Sequence, residues 1–144
     1  MQFLFLLVVP FLLHAEMILA VKDIELRTLV SQHEQEFTLR DGIWIVTWDK
    51  ESTYIANEYF KNYGMRDDVS MIVDTSQVPS GIFKLFVKPN MKRYKHAILL
   101  SFDVMYNRTL PYKEGYLSVL TVQDKTLKEV VFVQTEAELE EFFK

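Results

Sequence analysis

The chain has 144 residues, a net charge of −4 and no cysteine. Its apolar fraction of 49% and charged fraction of 25% suit one globular domain, and the negative balance excludes an electrostatic nucleic-acid binder. Without cysteine there is no disulfide, no thiolate nucleophile, no cysteine-held zinc or iron–sulfur cluster, and no cysteine to carry a lipoprotein anchor.

Phe3 to Leu13 is an apolar run containing one proline. A membrane span needs about 20 such residues, so this run reads as the core of an export signal. Cleavage after Ala15 or Ala20 is expected, with residues 1–20 as leader and 21–144 as a single domain. The competing expectations are an uncleaved tether, because apolar character resumes over Met17–Val21, and an N-terminal element buried in the domain. His14 and Glu16 would be costly within lipid. Export and the tether both place the domain outside the cytoplasm, periplasmic or secreted.

Ile24 to Leu29 alternates and predicts a strand. Ser31-Gln32-His33-Glu34 matches a capping box, which predicts a helix through Phe37 and Leu39 closed by Gly42. Ile43 to Trp48 is apolar on both faces, as in a central strand. Ser52 to Tyr63 follows as a helix with Ile55, Tyr59 and Phe60 along one side. Val69 to Asp74 and Ala97 to Phe102 are two more buried-looking strands. Gly81 to Val87, between them, predicts a short helix stopped by Pro89. After a polar loop over Asn107–Gly115, Tyr116–Gln123 and Leu127–Val133 form a hairpin turning at Asp124-Lys125-Thr126. A second capping box, Thr135 to Glu138, opens a final helix that docks through Leu139, Phe142 and Phe143. Strands alternating with helices, then a hairpin, argue for an α/β sheet with a parallel part and an antiparallel edge, helices lying on both faces.

This order resembles the thioredoxin-like fold, a three-layer α/β sandwich whose central mixed sheet ends in an antiparallel hairpin and a closing helix. IWIVTW resembles that family's central strand ending in tryptophan, VSMIVD its next parallel strand, and YLSVLTVQDKTLKEVVFVQTEAELEEFF its closing hairpin and helix. Asp49-Lys50-Glu51-Ser52 stands where the family's C-x-x-C would stand, with Asp49 and Ser52 at the two cysteine positions. Thiol–disulfide exchange needs one thiolate to attack and a second sulfur to resolve. The resemblance therefore implies the fold without its redox chemistry.

Asp49 also has a plain structural role, as a carboxylate capping a helix start. His33-Glu34-Gln35-Glu36 is better read as a solvated face than as a metal site, and no phosphate-loop, dinucleotide or nucleophile-elbow motif occurs. No metal or cofactor is expected. Asn107-Arg108-Thr109 is a formal N-glycosylation signal. Between Thr75 and Phe102 lie Lys84, Lys88, Lys92, Arg93 and Lys95 with no acid, and Phe83, Phe86 and Tyr94 stand among them. Such a stretch suits an acidic partner, a phospholipid headgroup or an anionic ligand, although solvated lysines balancing an acidic body give the same pattern.

The expected function is a non-redox interaction domain of the cell envelope that binds another envelope or secreted protein. Its contact residues are Trp48, Asp49 and Ser52 at the strand–helix bend, Pro111 and Tyr112 in the facing loop, and Lys84, Lys88, Lys92 and Arg93. A peripheral membrane contact through the basic stretch or a retained N-terminal anchor is a further candidate partner. The alternative is an enzyme or small-ligand carrier using Asp49, Asp74 and Asp103, each following an apolar strand. Gathered at one edge, these carboxylates would suit a metal or acid–base work.

Overall fold

The computed structural model describes residues 16–144. Phe3–Leu13 and the cleavage position after Ala15 fall outside or at the border of these residues. Eight strands form one sheet: β1 (Glu16–Asp23), β2 (Thr28–Ser31), β3 (Glu36–Thr38), β4 (Gly42–Thr47), β5 (Val69–Asp74), β6 (Ile98–Ser101), β7 (Leu117–Gln123) and β8 (Thr126–Val133). Their order across the sheet is β1-β8-β7-β4-β5-β6-β2-β3. The pairs β4–β5 and β5–β6 are parallel, and the other pairs are antiparallel.

Alternate side chains of the central strands feed two cores. Ile45, Met71, Val73, Ile98, Leu100, Val119 and Val131 point to one face. That face is covered by α1 (Lys50–Tyr63), by a helical stretch spanning Ser80–Met91, and by the C-terminal helix (Glu136–Phe142) through Leu139. Trp44, Val46, Ile72, Leu99, Leu120 and Phe132 point to the other face, beneath Tyr106 of a short helix (Val104–Asn107), Leu110, and Ile24, Leu29 and Leu39. Trp44 is fully enclosed, and its indole N–H donates to the Arg40 carbonyl at 2.8 Å.

The Ser80–Met91 stretch consists of α2 (Ser80–Ile82), a π turn (Phe83–Val87) and α3 (Lys88–Met91). Among the described residues the remaining helices are α4 (Val104–Asn107) and α5 (Glu136–Phe142). Pro89 does not stop the helix as expected. It sits in the first turn of α3, where its missing N–H is tolerated.

The N-terminal third departs most from expectation. Ile24–Arg27 is a connection, not a strand, and the predicted helix after Ser31 is a β2–β3 hairpin. Ser31 does accept local amides through its hydroxyl, from His33 at 3.1 Å and Gln35 at 3.4 Å, but in a tight turn with Glu34 at φ 64°. The capping motif and the turn share this first step. What decides between them is the β-forming pattern on either side, Thr28-Leu29-Val30 and Glu36-Phe37-Thr38. Elsewhere the β7–β8 turn is as expected. Asp124 and Lys125 both take positive φ, as a two-residue hairpin demands, and the Asp41 carboxylate accepts their N–H groups at 2.8 and 3.2 Å.

Buried Gln32 ties the hairpin to β6. Its side-chain carbonyl accepts from Ile98 N–H at 2.7 Å and its amide donates to the His96 carbonyl at 2.7 Å. His96 lies beside Asn57, whose Oδ1 accepts from the His96 Nε2–H at 2.8 Å, and beside the Phe60 ring at 5.5 Å. Burial pushes the His96 imidazole down to about 4, with the neighbouring His33 acting in the same sense. Above the ordinary histidine value both folded and unfolded chains are neutral there. Between about 6.5 and 4 only the unfolded chain takes the proton, so stability falls as pH falls, by at most about 1.4 kcal/mol per pH unit. Urea midpoints between pH 7 and pH 4.5 should show this decline in the wild type and lose most of it in His96→Gln. An equal decline in both would assign it elsewhere.

Candidate functional site

The parallel strands β4, β5 and β6 end at one edge of the sheet, and the strand–helix bend stands there. Asp49 is the N-cap of α1: its carboxylate accepts from Ser52 N–H at 2.8 Å. The Ser52 hydroxyl in turn accepts from the N–H of Trp48 at 3.0 Å and of Asp49 at 3.2 Å. The bend is thus a reciprocal capping box, with Thr53 adding a bond to the Asp49 carbonyl at 2.6 Å. Asp49 and Ser52 thus hold one another through oxygen and backbone N–H.

Trp48 is half-buried. Its indole N–H donates to the Ser118 hydroxyl at 3.1 Å, and Ser118 donates to the Pro111 carbonyl at 2.7 Å. The Tyr112 ring meets the Trp48 ring edge-on at 5.1 Å and is itself exposed. The bend and the Pro111 loop, distant in sequence, are therefore one surface. Trp48, Asp49, Ser52, Pro111 and Tyr112 lie together, and the described peptide bonds, that of Pro111 included, are trans. Sequence reasoning missed Ser118, the hinge of this contact. Its one signal was a hydroxyl inside an otherwise apolar buried strand.

Lys84, Lys88, Lys92 and Arg93 do not join that surface; they lie on or just past the Ser80–Met91 stretch. Lys88 and Lys92 reach Glu34 at 3.1 and 3.9 Å, and the Lys88 ammonium holds the Glu34 carboxyl below its ordinary range. Arg93 donates to Asn90 at 3.0 Å. Of the aromatics expected among the lysines, Phe86 is exposed, Tyr94 half-buried and Phe83 turned into the core.

The three strand-end carboxylates share an edge but serve separate local tasks. Asp49 caps α1. Asp74 accepts from Ser76 N–H at 2.9 Å, Ser76 hydroxyl at 2.6 Å and Asn107 amide at 2.7 Å. Asp103 caps α4, and the Arg27 guanidinium at 2.6 Å holds its carboxyl below the usual range. Among the described residues no three His, Asp or Glu side chains are grouped to hold a metal ion. Asn107 is 3% exposed, and its amide nitrogen is committed to Asp74 and to the Ser101 carbonyl. A glycan on Asn107 is incompatible with this packing.

No protein-family model matches the sequence, and no curated protein matches it. Solved structures do match in shape. The peroxidoxin BcpB from Mycobacterium tuberculosis superposes with a TM-score of 0.57 at 10% identity, over 86% of this chain and 93% of that one. StoA from Bacillus subtilis gives 0.55 at 13% identity over 88% and 98%. A DsbF homologue from Corynebacterium diphtheriae gives 0.54 at 12% identity over 88% and 90%. Identities this low speak for the fold alone. The fold is thioredoxin-like, and it is carried here by a chain with aspartate and serine at the bend and no cysteine anywhere.

Proposed function

We propose that this chain is an exported, non-redox binding domain that holds a protein partner against the carboxyl edge of its sheet. The carrying observation is the Trp48–Tyr112 pair: two large rings, one half-buried and one exposed, joined across 64 residues of sequence by the Ser118 bridge. Such rings, held in place before contact, give binding area at low entropic cost, and aromatic anchors dominate interface energetics. The Asp49–Ser52 cap keeps the bend rigid beneath them. With no sulfur nucleophile, what this surface can offer a protein is contact, not exchange.

Export rests on the Phe3–Leu13 run. Cleavage after Ala15 would leave β1 whole, whereas cleavage after Ala20 would remove the residues that pair Glu16 with Phe132 and Leu19 with Glu129. Ala15 is therefore the favoured site. The mass of the exported protein checks it, a chain starting at Glu16 being the expected result and one starting at Val21 the refutation.

The function is tested by photo-crosslinking from position 112 in the producing cell, comparing wild type with Trp48→Ala. A discrete protein adduct that falls at least roughly tenfold in the variant is expected, a loss typical of an aromatic anchor. Circular dichroism must show both forms folded. An adduct unchanged by Trp48→Ala, or no protein adduct at all, would remove this surface as the binding site.

A further inference from the structure

The Ser80–Met91 stretch is apolar on both sides. Phe83 and Met91 face the core, yet Ile82, Leu85 and Phe86 face outward and are 50%, 71% and 70% exposed. These three stand at helical spacing, and Lys84, Lys88 and Lys92 repeat every fourth residue beside them. An apolar stripe thus runs next to a lysine stripe. Phe102, 55% exposed, touches the same element, its ring meeting Phe83 edge-on at 5.2 Å, and Met105, 67% exposed, follows in α4. Isolated exposed apolar residues are ordinary, but three large ones on a single short element with a fourth, Phe102, against it are not.

We propose that this face docks on a bilayer surface carrying anionic headgroups. Ile82, Leu85 and Phe86 enter the boundary between headgroups and acyl chains, and Lys84, Lys88, Lys92 and Arg93 meet the phosphates. Two observations choose a bilayer over other occupants. The first is charge. Residues 75–102 contain no acid, and Glu34 is the carboxylate that reaches these lysines, so the patch stays positive on a chain whose net charge is −4. Apolar side chains flanked by lysines are the pattern of helices that lie in a membrane interface.

The second is topology. One row of paired residues runs Glu16–Phe132–Ser118–Val46–Ile72–Leu99 across the sheet. Val46 and Ile72 lie in the carboxyl halves of β4 and β5. Glu16, where the described chain begins, is therefore at the edge from which Phe102, Met105 and the start of the Ser80–Met91 stretch project. The apolar Phe3–Leu13 run of the sequence precedes Glu16, so the chain would be delivered to the membrane from this edge during export and held there wherever the run is retained. The inference uses residues other than Trp48 and Tyr112 and stands apart from the protein-binding reading.

Because the chain has no cysteine, one introduced thiol can carry one environment-sensitive dye. Full-length Leu85→Cys, labelled, is mixed with phosphatidylglycerol–phosphatidylcholine vesicles, with Gln123→Cys at the opposite edge as control. The dye at position 85 should shift to the blue and the dye at 123 should not. The shift should need phosphatidylglycerol and should weaken at least roughly tenfold with Lys84→Glu/Lys88→Glu or in high salt. An unchanged dye at 85 on a vesicle-bound chain would overturn the proposal, since the N-terminal run alone would then hold the protein. So would an equal shift on phosphatidylcholine alone. A shift produced by lipid-free envelope proteins but not by vesicles would give the face to a protein partner. A shift growing with the chain's own concentration would give it to a second copy.

Discussion

Gly42→Ala is expected to destabilise the fold by about 3–5 kcal/mol, a large share of the roughly 5–15 kcal/mol available to a domain of this size. Gly42 opens β4 with φ 138°, a conformation that side chains rarely adopt. A Cβ built there would lie 2.1 Å from the Asp68 carbonyl oxygen. That oxygen accepts from Ile43 N–H at 2.9 Å, next to the Ile43–Val69 pairing that begins the central parallel ladder. The clash is with backbone, so no rotamer relieves it, and β4 and β5 must part. Gly115→Ala separates the two causes. Gly115 also has positive φ, 85°, but a Cβ there meets nothing within 4 Å, so only the backbone term of about 1 kcal/mol remains. Urea midpoints of the two variants should differ clearly. Equal losses would show that contact with Asp68 is not what requires glycine at 42.

The same glycine shows where sequence reasoning reached its limit. Asp41-Gly42 was expected to close a helix, yet Asp41 holds the β7–β8 turn and Gly42 starts a strand. Over residues 24–42 the strands are three or four residues long, too short for their period to outweigh a local capping motif. The long apolar strands, the α1 pattern and the closing hairpin with its helix were legible, because each buries one consistent face. For the site, the sequence placed Trp48, Asp49 and Ser52 at a bend, since local order suffices for that. It could not show that Ser118 bridges Trp48 to Pro111, which depends on β7 lying beside β4. Nor could composition tell that Phe83 turns inward while Ile82, Leu85 and Phe86 turn outward. That is set by which side of the helical stretch meets the sheet.

The bend itself invites the reverse experiment: Asp49→Cys/Ser52→Cys should turn this chain into a disulfide reductase. The bend puts position 49 at the N-cap of α1 and position 52 in its first turn. A thiolate at 49 would sit where the Asp49 carboxylate now accepts from Ser52 N–H at 2.8 Å, at the start of a 14-residue helix whose N-terminal dipole favours negative charge. Such positions bring a cysteine below its usual value of about 8.5, into the range of about 3.5–7.5. The second sulfur would start close by, for the Ser52 hydroxyl folds back toward residue 49, 3.2 Å from its backbone N and 3.3 Å from its backbone O. The thiolate at 49 attacks a substrate disulfide, releasing one substrate thiol and leaving a mixed disulfide. The sulfur at 52 then displaces the second substrate thiol and closes an internal disulfide, which dithiothreitol reduces again. Insulin reduction should stay at the dithiothreitol background in the wild type, rise little in Asp49→Cys alone, where only dithiothreitol can resolve the mixed disulfide, and run well above both in the double variant. Loss of the Asp49–Ser52 cap would cost about 1 kcal/mol, which leaves the domain folded. If the double variant forms the disulfide but its thiol titrates near 8.5, the helix start does not polarise this site. If it forms no disulfide at all while circular dichroism shows a native fold, the likeness to the thioredoxin bend ends at the backbone, and cysteine is not the only thing missing from it.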